Sequence, residues 1–596
     1  MHLVADCLET LMKGLIEMTN KKYYILFFLI LSILINPFIY ITNSSAQQVK
    51  PFSDVPPNHF AYTQIHRLRE LGITVGIGNN MFGVGRTITR GEFVTYLVRL
   101  MRWDIIKPAK GSFVDNMNPA HNFYGTIETA LQHGVIKKDS DYFRTDDPIT
   151  REEMAIMIVR ALGYDTLAGQ LDILGKPFDD VTRNYGYITI ARDLGITAGT
   201  GPNTFSPNGI ATREQAAAMM IRMYDKLNTP MQELHAFYAI SSSSQIDKFP
   251  QLDSVSFGWA QLEYDENTKQ VYINTDGGDN SYYIPTGYAG VLEKAADNNV
   301  SRQLMFFVKD QNITDPDNGK TVKLAEYIVT HPEIRKPVIN AMVSMVNETK
   351  KYDYSFSFDG MVSDFEGFKG DALKKAYNEF LTELKTELSK TNKKLYVAVH
   401  PRGKPGQVYF DGYDYRTIGE TADKVILMAH DYDAVSLNEE EMQRGYTDTP
   451  VTPIDEVYCA LKSITDPVSG VRDLNKIWLQ LSMDTVQWKL KDGKVINSVP
   501  YHPSYSLLIQ RFLTGVQLNY SEYSQNPYAK FFNSEDGTDN VIWYENQRSI
   551  AEKIKLAKLF GIKGLSLWRL GNIPEYKDTP DVRLELDIWG EIIRNF

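Results

Sequence analysis

The sequence predicts a multidomain chain. A helical region built from one unit repeated three times comes first, and an α/β domain of the (β/α)8 barrel type with a small inserted subdomain follows. Three observations predict this. The chain has 596 residues, too many for a single hydrophobic core. Between about residues 50 and 226 one unit recurs with fixed anchor residues. From 235 on, short apolar runs alternate with amphipathic stretches, the texture of strands followed by covering helices.

The repeat is carried by two sets of anchors. Phe52-x-Asp54, Phe113-x-Asp115 and Phe178-x-Asp180 open the units, which span 50–108, 109–170 and 174–226. Thr89-Arg90, Thr150-Arg151 and Thr212-Arg213 begin a second apolar-periodic stretch in each. Each unit therefore reads as helix, loop, helix: "AYTQIHRLRELGI" has apolar residues at helical spacing and a Gly stop. The Thr is a natural N-cap, with an acid or amide following to support the first turn. Capping alone does not require Arg in all three copies. A guanidinium at a helix N-terminus makes an anion site.

These units resemble S-layer homology (SLH) modules. The resemblance implies a three-fold bundle that anchors proteins non-covalently to the secondary polymer of Gram-positive cell walls, whose sugars are often pyruvylated and anionic. It further implies that Arg90, Arg151 and Arg213 contact that polymer and that Asp54, Asp115 and Asp180 shape the pockets. Phe60, Phe123 and Tyr187 stand roughly where the family has Trp. The second unit has "KKDSDYF" in place of the usual Gly-rich ending.

The flanks set the compartment. Lys21-Lys22 precede an apolar run from Tyr23 to about Ile41, and Ser44 and Ala46 sit like a signal-peptidase site. Residues 1–46 thus read as a secretory signal, with Met18 as an alternative start. The run is long enough to span a bilayer, so an uncleaved anchor stays open, and membrane association is expected through this segment alone. Only Cys7 and Cys459 occur, so no internal disulfide is expected once Cys7 leaves with the signal. A net charge of −11 without a basic stripe argues against nucleic acid. No His cluster or Cys pair has metal-ligand spacing, and no nucleotide loop appears, so no cofactor or metal is expected. The reading is a secreted protein attached to a bacterial cell surface.

After a polar, Pro-containing link at 227–234, eight apolar runs span the 235–596 domain: "HAFYAI", "SVSFGW", "QLMFFV", "YSFSFDGMVSDF", "KLYVAV", "KVILMAH", "KIWLQLSM" and "GLSLWRL". Residues from about 485 to 545 exceed one strand-to-helix loop and read as the inserted subdomain. The fourth run is unusual in its acids. Residues two apart on a strand share a face, so Val362, Asp364 and Glu366 point together at the strand's C-terminal end. Buried carboxylates cost free energy unless paired. Helix capping is the bland alternative, but it gives no reason for two acids on one face.

"FDGMVSDFE" resembles the Asp-Gly-x-x-x-Asp-x-Glu strand of family 18 glycoside hydrolases. "VILMAHDYD" is similar to that family's Met-x-Tyr-Asp strand, and "GLSLWRLGN" to its last strand. Other stretches resemble the spore-wall and surface-anchored branch. The resemblance implies cleavage of β-1,4 links in N-acetylglucosamine-containing glycans by a retaining, substrate-assisted route. Glu366 would be the acid, and an ionised Asp364 beside it would hold the acetamido group. Asp431 and Tyr432 would lie near the acetamido oxygen, and Trp568 would form the floor under the sugar. Phe237 and Trp259, from the first two runs, join the expected substrate contacts. Asp359 is grouped with them, although it faces the other way and reads first as a support. Two positions depart from the pattern: Val362 replaces the family's middle Asp, and His430, which could titrate near neutral pH, replaces a Tyr. Peptidoglycan, chitin and N-glycan all stay open as substrates. A non-catalytic surface lectin and a structural S-layer component are the competing readings.

Overall fold

The computed structural model describes residues 50–403 and 410–596; the expected signal segment lies outside them. Residues up to Val84 and residues from Gly85 on are two compact units. In the first, helix Tyr62–Glu70 follows the opening Phe52-x-Asp54. The Asp54 carboxylate accepts from the amides of Phe82, Gly83 and Val84 at 2.7–3.1 Å, which ties the start of the module to the loop between its two helices.

The second unit holds the rest of the helical region and the barrel. The helices Arg90–Leu100, Arg151–Ala161 and Arg213–Asn228 each follow the Thr expected as N-cap. Thr89 and Thr150 complete capping boxes with Glu92 and Glu153, and Gln215 accepts from the Thr212 amide. These interactions satisfy amides that a helix start otherwise leaves without partners. The strand-like residues before the three helices pair with one another, Thr89 with Pro148, Thr150 with Ile210 and Thr87 with Thr212.

The barrel is a closed ring of eight parallel strands. They are β1 (Glu233–Tyr238), β2 (Ser254–Asp265), β3 (Ser301–Val308), β4 (Gly360–Asp364), β5 (Lys394–Val399), β6 (Lys424–Leu427), β7 (Ile477–Ser482) and β8 (Gly564–Trp568). Neighbours pair in sequence order and β8 pairs back onto β1, Gly564 opposite Glu233. Each expected apolar run supplies one strand. In the interior, Phe237, Met305, Val362, Tyr396, Ala398, Ile426 and Trp478 pack together, the mixture of large and small residues that fills a barrel of this size. Gly360 starts β4 where a Cβ would lie 2.3 Å from the Lys394 carbonyl oxygen, so no larger residue fits between β4 and β5.

The fourth run is divided more finely than its apolarity suggests. Tyr354–Phe356 leaves the barrel and forms a small antiparallel hairpin with Thr349–Lys351; only Gly360–Asp364 belongs to the ring. Between β7 and helix Gln547–Phe560, the expected insertion is a five-stranded antiparallel sheet with helix Tyr505–Phe512. Its own core centres on Val486, Trp488, Val541 and Trp543. Among the described residues no helix is long and apolar enough to cross a membrane.

Candidate active site and anchor residues

Strand alternation places the acids. Val362 and Asp364 face the barrel interior, while Ser363 between them faces outward and meets the Tyr377 hydroxyl at 3.1 Å. Asp364 ends β4 and is 5% exposed. Glu366 lies just past the strand with its side chain 43% exposed. The intervening backbone is pinned, because the Tyr413 hydroxyl donates to the Phe365 carbonyl at 2.7 Å.

Both acids open onto a cavity of about 370 Å³ at the C-terminal mouth of the barrel, the end where sites form in this fold. Phe237, Trp568, His430, Asp431 and Tyr432 line it. Phe237 meets Trp568 edge-on with ring centroids 5.2 Å apart. His430 Nε2 donates to Gln480 Oε1 at 2.6 Å, and its Nδ1 lies 2.9 Å from Asp431 Oδ2. The cavity also contains residues the sequence did not single out: Tyr282, Phe307, His400, Phe410 and Gln480. His400 follows β5, stacks on Phe410 at 4.2 Å and brings Nε2 to 3.7 Å from Glu366 Oε2. The rule that found Glu366, a polar residue closing an apolar strand, applies equally to the His that ends "KLYVAVH". Tyr282 comes from a Gly- and Asn-rich loop with no periodicity to mark it.

Two expected substrate contacts lie elsewhere. Asp359 precedes β4 at the opposite mouth and accepts from the Arg302 amide at 2.8 Å. Five residues of strand put it roughly 16 Å from Asp364, so it supports the β3–β4 pairing. Trp259 is buried against Phe257 and Tyr288. A register shift between Phe257 and Ala260 interrupts the alternation of β2 and turns the indole out of the cavity.

The electrostatics differ from the expected pattern as well. Burial pushes the Asp364 carboxyl well above the usual carboxylate range, and neighbouring Glu366 adds to this while His430 opposes it. Burial therefore weighs against the ionised Asp364 that the resemblance implies, and His430 weighs for it. Burial works to lower the His430 pKa, but Asp431, Gln480 and Glu366 outweigh it and raise it to about 9. His430 is thus a cation at neutral pH, not a group titrating near it.

The anchor residues make contacts between modules. Arg90 Nε donates to the Phe143 carbonyl at 2.9 Å and its guanidinium pairs with Glu153. Arg151 Nε donates to the Phe205 carbonyl at 2.8 Å, and Arg213 pairs with Glu92 and meets the Tyr96 hydroxyl. Asp115 accepts from the amides of Phe143, Arg144 and Thr145, and Asp180 from Phe205 and Ser206. Each buried Arg of the second and third modules, like the partly exposed Arg90, is therefore held by protein groups. Beyond these sites, Asp315, Asp317 and His331 bring potential ligand atoms within 4.8 Å of one another, a juxtaposition their sequence spacing did not suggest.

The family model for glycosyl hydrolases family 18 matches residues 319–572. The S-layer homology domain matches 51–94, 117–155 and 177–217. An S-layer protein of Bacillus thuringiensis subsp. finitimus is 30% identical over 207 residues, 34% of this chain and 24% of the relative. A cortical fragment-lytic enzyme of Bacillus anthracis is 26% identical over 270 residues, 44% of this chain and 56% of the relative. The chain thus spans between a quarter and little over half of these relatives. Among solved structures, the Bacillus cereus spore cortex-lytic enzyme is similar at a TM-score of 0.45 and 20% identity, over 62% of this chain and 75% of that one. Residues 319–572 are a glycosyl hydrolase family 18 domain, and three S-layer homology domains precede it.

Proposed function

We propose that the protein is a cell-wall-anchored glycosidase that cleaves β-1,4 linkages of N-acetylglucosamine-containing glycans with retention of configuration. The observation that carries this reading is the pair Asp364 and Glu366, one buried and one exposed, at a cavity that Trp568 also lines. In a substrate-assisted reaction the 2-acetamido oxygen attacks C1 of the sugar. Glu366 donates its proton to the leaving glycosidic oxygen, and its carboxylate then takes a proton from the water that opens the oxazolinium ring. Asp364 Oδ1 is buried without a hydrogen-bond partner. The acetamido N–H supplies that partner, and the positive charge developing on the acetamido group rewards an ionised Asp364. Substrate binding thus works against the burial that favours the protonated acid. Trp568 offers its face to the apolar side of the ring. The SLH domains would hold the enzyme on the secondary wall polymer, and the N-terminal segment would export it.

The test is turnover on peptidoglycan, chitooligosaccharide and N-glycan by the full chain and by Glu366→Gln. We expect reducing ends from at least one glycan, and a fall in kcat of about 10²–10⁴-fold in the variant with wall binding unchanged. Turnover retained by the variant refutes the assignment of Glu366. Glycan binding without turnover by the parent chain would make it a lectin.

A further inference from the structure

We propose that His430 is the positioning residue that keeps Asp364 usable as a carboxylate, from β6, because β4 itself provides no polar partner for that acid. This rests on the glycosidase reading and adds to it a source for the charge balance of the site. On the inward face of β4 the residue below Asp364 is Val362, fully buried among Phe237, Met305 and Met428. Asp364 Oδ1 has no hydrogen-bond partner, and the next acid, Glu366, contributes a like charge. Left to β4, this carboxyl would stay protonated.

His430 faces the same cavity and is built to carry charge. Its Nε2 meets Gln480 Oε1 at 2.6 Å, and its Nδ1 lies 2.9 Å from an Asp431 oxygen. Gln480 Oε1 can only accept, so Nε2 carries a proton, and the Asp431 carboxylate beside Nδ1 favours a second proton and the imidazolium form. The side chain is only 7% exposed, so little water screens its field. Its pKa of about 9 agrees with that geometry. The other titratable groups facing the two acids do not replace it. His400 stands 3.7 Å from Glu366 and is that acid's neighbour. Tyr282, Tyr377 and Tyr413 are neutral phenols raised by burial. Arg569 has its electrostatic partners in Tyr282 and Asp484, and Asp431 carries the charge that holds His430.

The experiment compares kcat against pH for the full chain, His430→Gln and His430→Asn on an N-acetylglucosamine oligosaccharide. Each variant keeps a polar group facing Gln480 and loses the charge. Without the cation, Asp364 needs a higher pH to ionise. The acid limb should therefore move up by about one pH unit, and the ratio of rates below and above neutrality should fall about tenfold. A mere structural role would lower the rate uniformly without moving the limb; that outcome, or an unchanged profile, overturns the proposal. Near-UV circular dichroism identifies which variant keeps its packing, and that variant is the one read. If the parent binds the oligosaccharide without turnover, the glycosidase reading fails by itself. The same shift is then sought in the pH dependence of affinity, and its absence there overturns this inference separately.

Discussion

His235 makes the barrel core acid-sensitive. It sits on β1 inside the ring, fully buried, with Ser566 Oγ at 2.8 Å from Nδ1, Ser256 Oγ at 2.7 Å from Nε2, and Trp478 stacked at 4.8 Å. Serine hydroxyls donate or accept, so a neutral imidazole is satisfied in either tautomer. An imidazolium would be satisfied too, but its charge would stand in an apolar interior, and burial lowers the pKa from 6.5 to about 3. The folded state therefore disfavours the proton. This contribution to stability is complete above the unfolded pKa of 6.5 and is lost as pH falls toward 3, at about 1.4 kcal/mol per pH unit. The ceiling is about 5 kcal/mol, comparable to the whole stability of a marginal domain. His235→Gln removes the titration and sacrifices the stack on Trp478, so it is less stable at neutral pH. Urea midpoints read by near-UV circular dichroism at a series of pH values separate the two effects. Carboxylates common to both proteins cancel in the difference. The deficit of the variant should shrink steadily below neutrality and reverse in acid. A deficit independent of pH would refute the reasoning.

Two further outcomes follow from buried charge and from the contact between bundle and barrel. Glu545 and Lys553 form a buried ion pair at 2.9 Å, with Asn526 donating to the same carboxylate; Lys553→Met leaves that carboxylate uncompensated and should cost about 3–5 kcal/mol by thermal unfolding, much of it recovered by adding Glu545→Gln. Asp193 accepts from the Tyr458 hydroxyl at 2.9 Å and pairs with Lys462 at 2.7 Å; Asp193→Ala should speed limited proteolysis between Asn228 and Glu233, and an unchanged rate would mean the contact does not secure the bundle.

The barrel was legible because each strand is an apolar run short enough to be a strand and too short for a helix. What the runs did not disclose is where pairing begins. Nothing in "YSFSFDG" marks Tyr354–Phe356 as a hairpin with Thr349–Lys351, yet that boundary moves Asp359 to the far mouth. Trp259 escaped because alternation assumes a regular strand, and the shift after Phe257 exists only in the pairing of β2 with β3. Asp364 and Glu366 were readable since their chemistry and their strand position coincide in eight residues. The charge on His430 was not, because it is set by Gln480 from β7 and by its neighbour Asp431. The Thr caps were equally local and equally readable. The partners of Arg90 and Arg151 lie more than fifty residues away, where a repeat pattern says which residues recur but not which copies touch.

The polar segment after the last module reads in sequence as a tether, and its structure argues for something stiffer. Helix Arg213–Asn228 ends four residues before β1 begins at Glu233. Within those four, Met231 is buried, and its amide and that of Gln232 donate to the carbonyls of Asn595 and Lys563. Lys226 Nζ donates to the Leu559 carbonyl, and Lys555 Nζ to that of Leu162. Gln170 and Gln525 add bonds between the second module and the inserted subdomain. A flexible link would let the catalytic mouth sample a volume set by linker length. Here four residues span at most about 14 Å, and side chains on both partners fix the approach. If the SLH residues of this same unit, from Gly85 on, hold the wall polymer, the barrel mouth is presented at one orientation to it. The glycan cleaved is then the one that geometry brings to Glu366, so detaching the anchor should change which glycan is cut more than how fast a soluble one is.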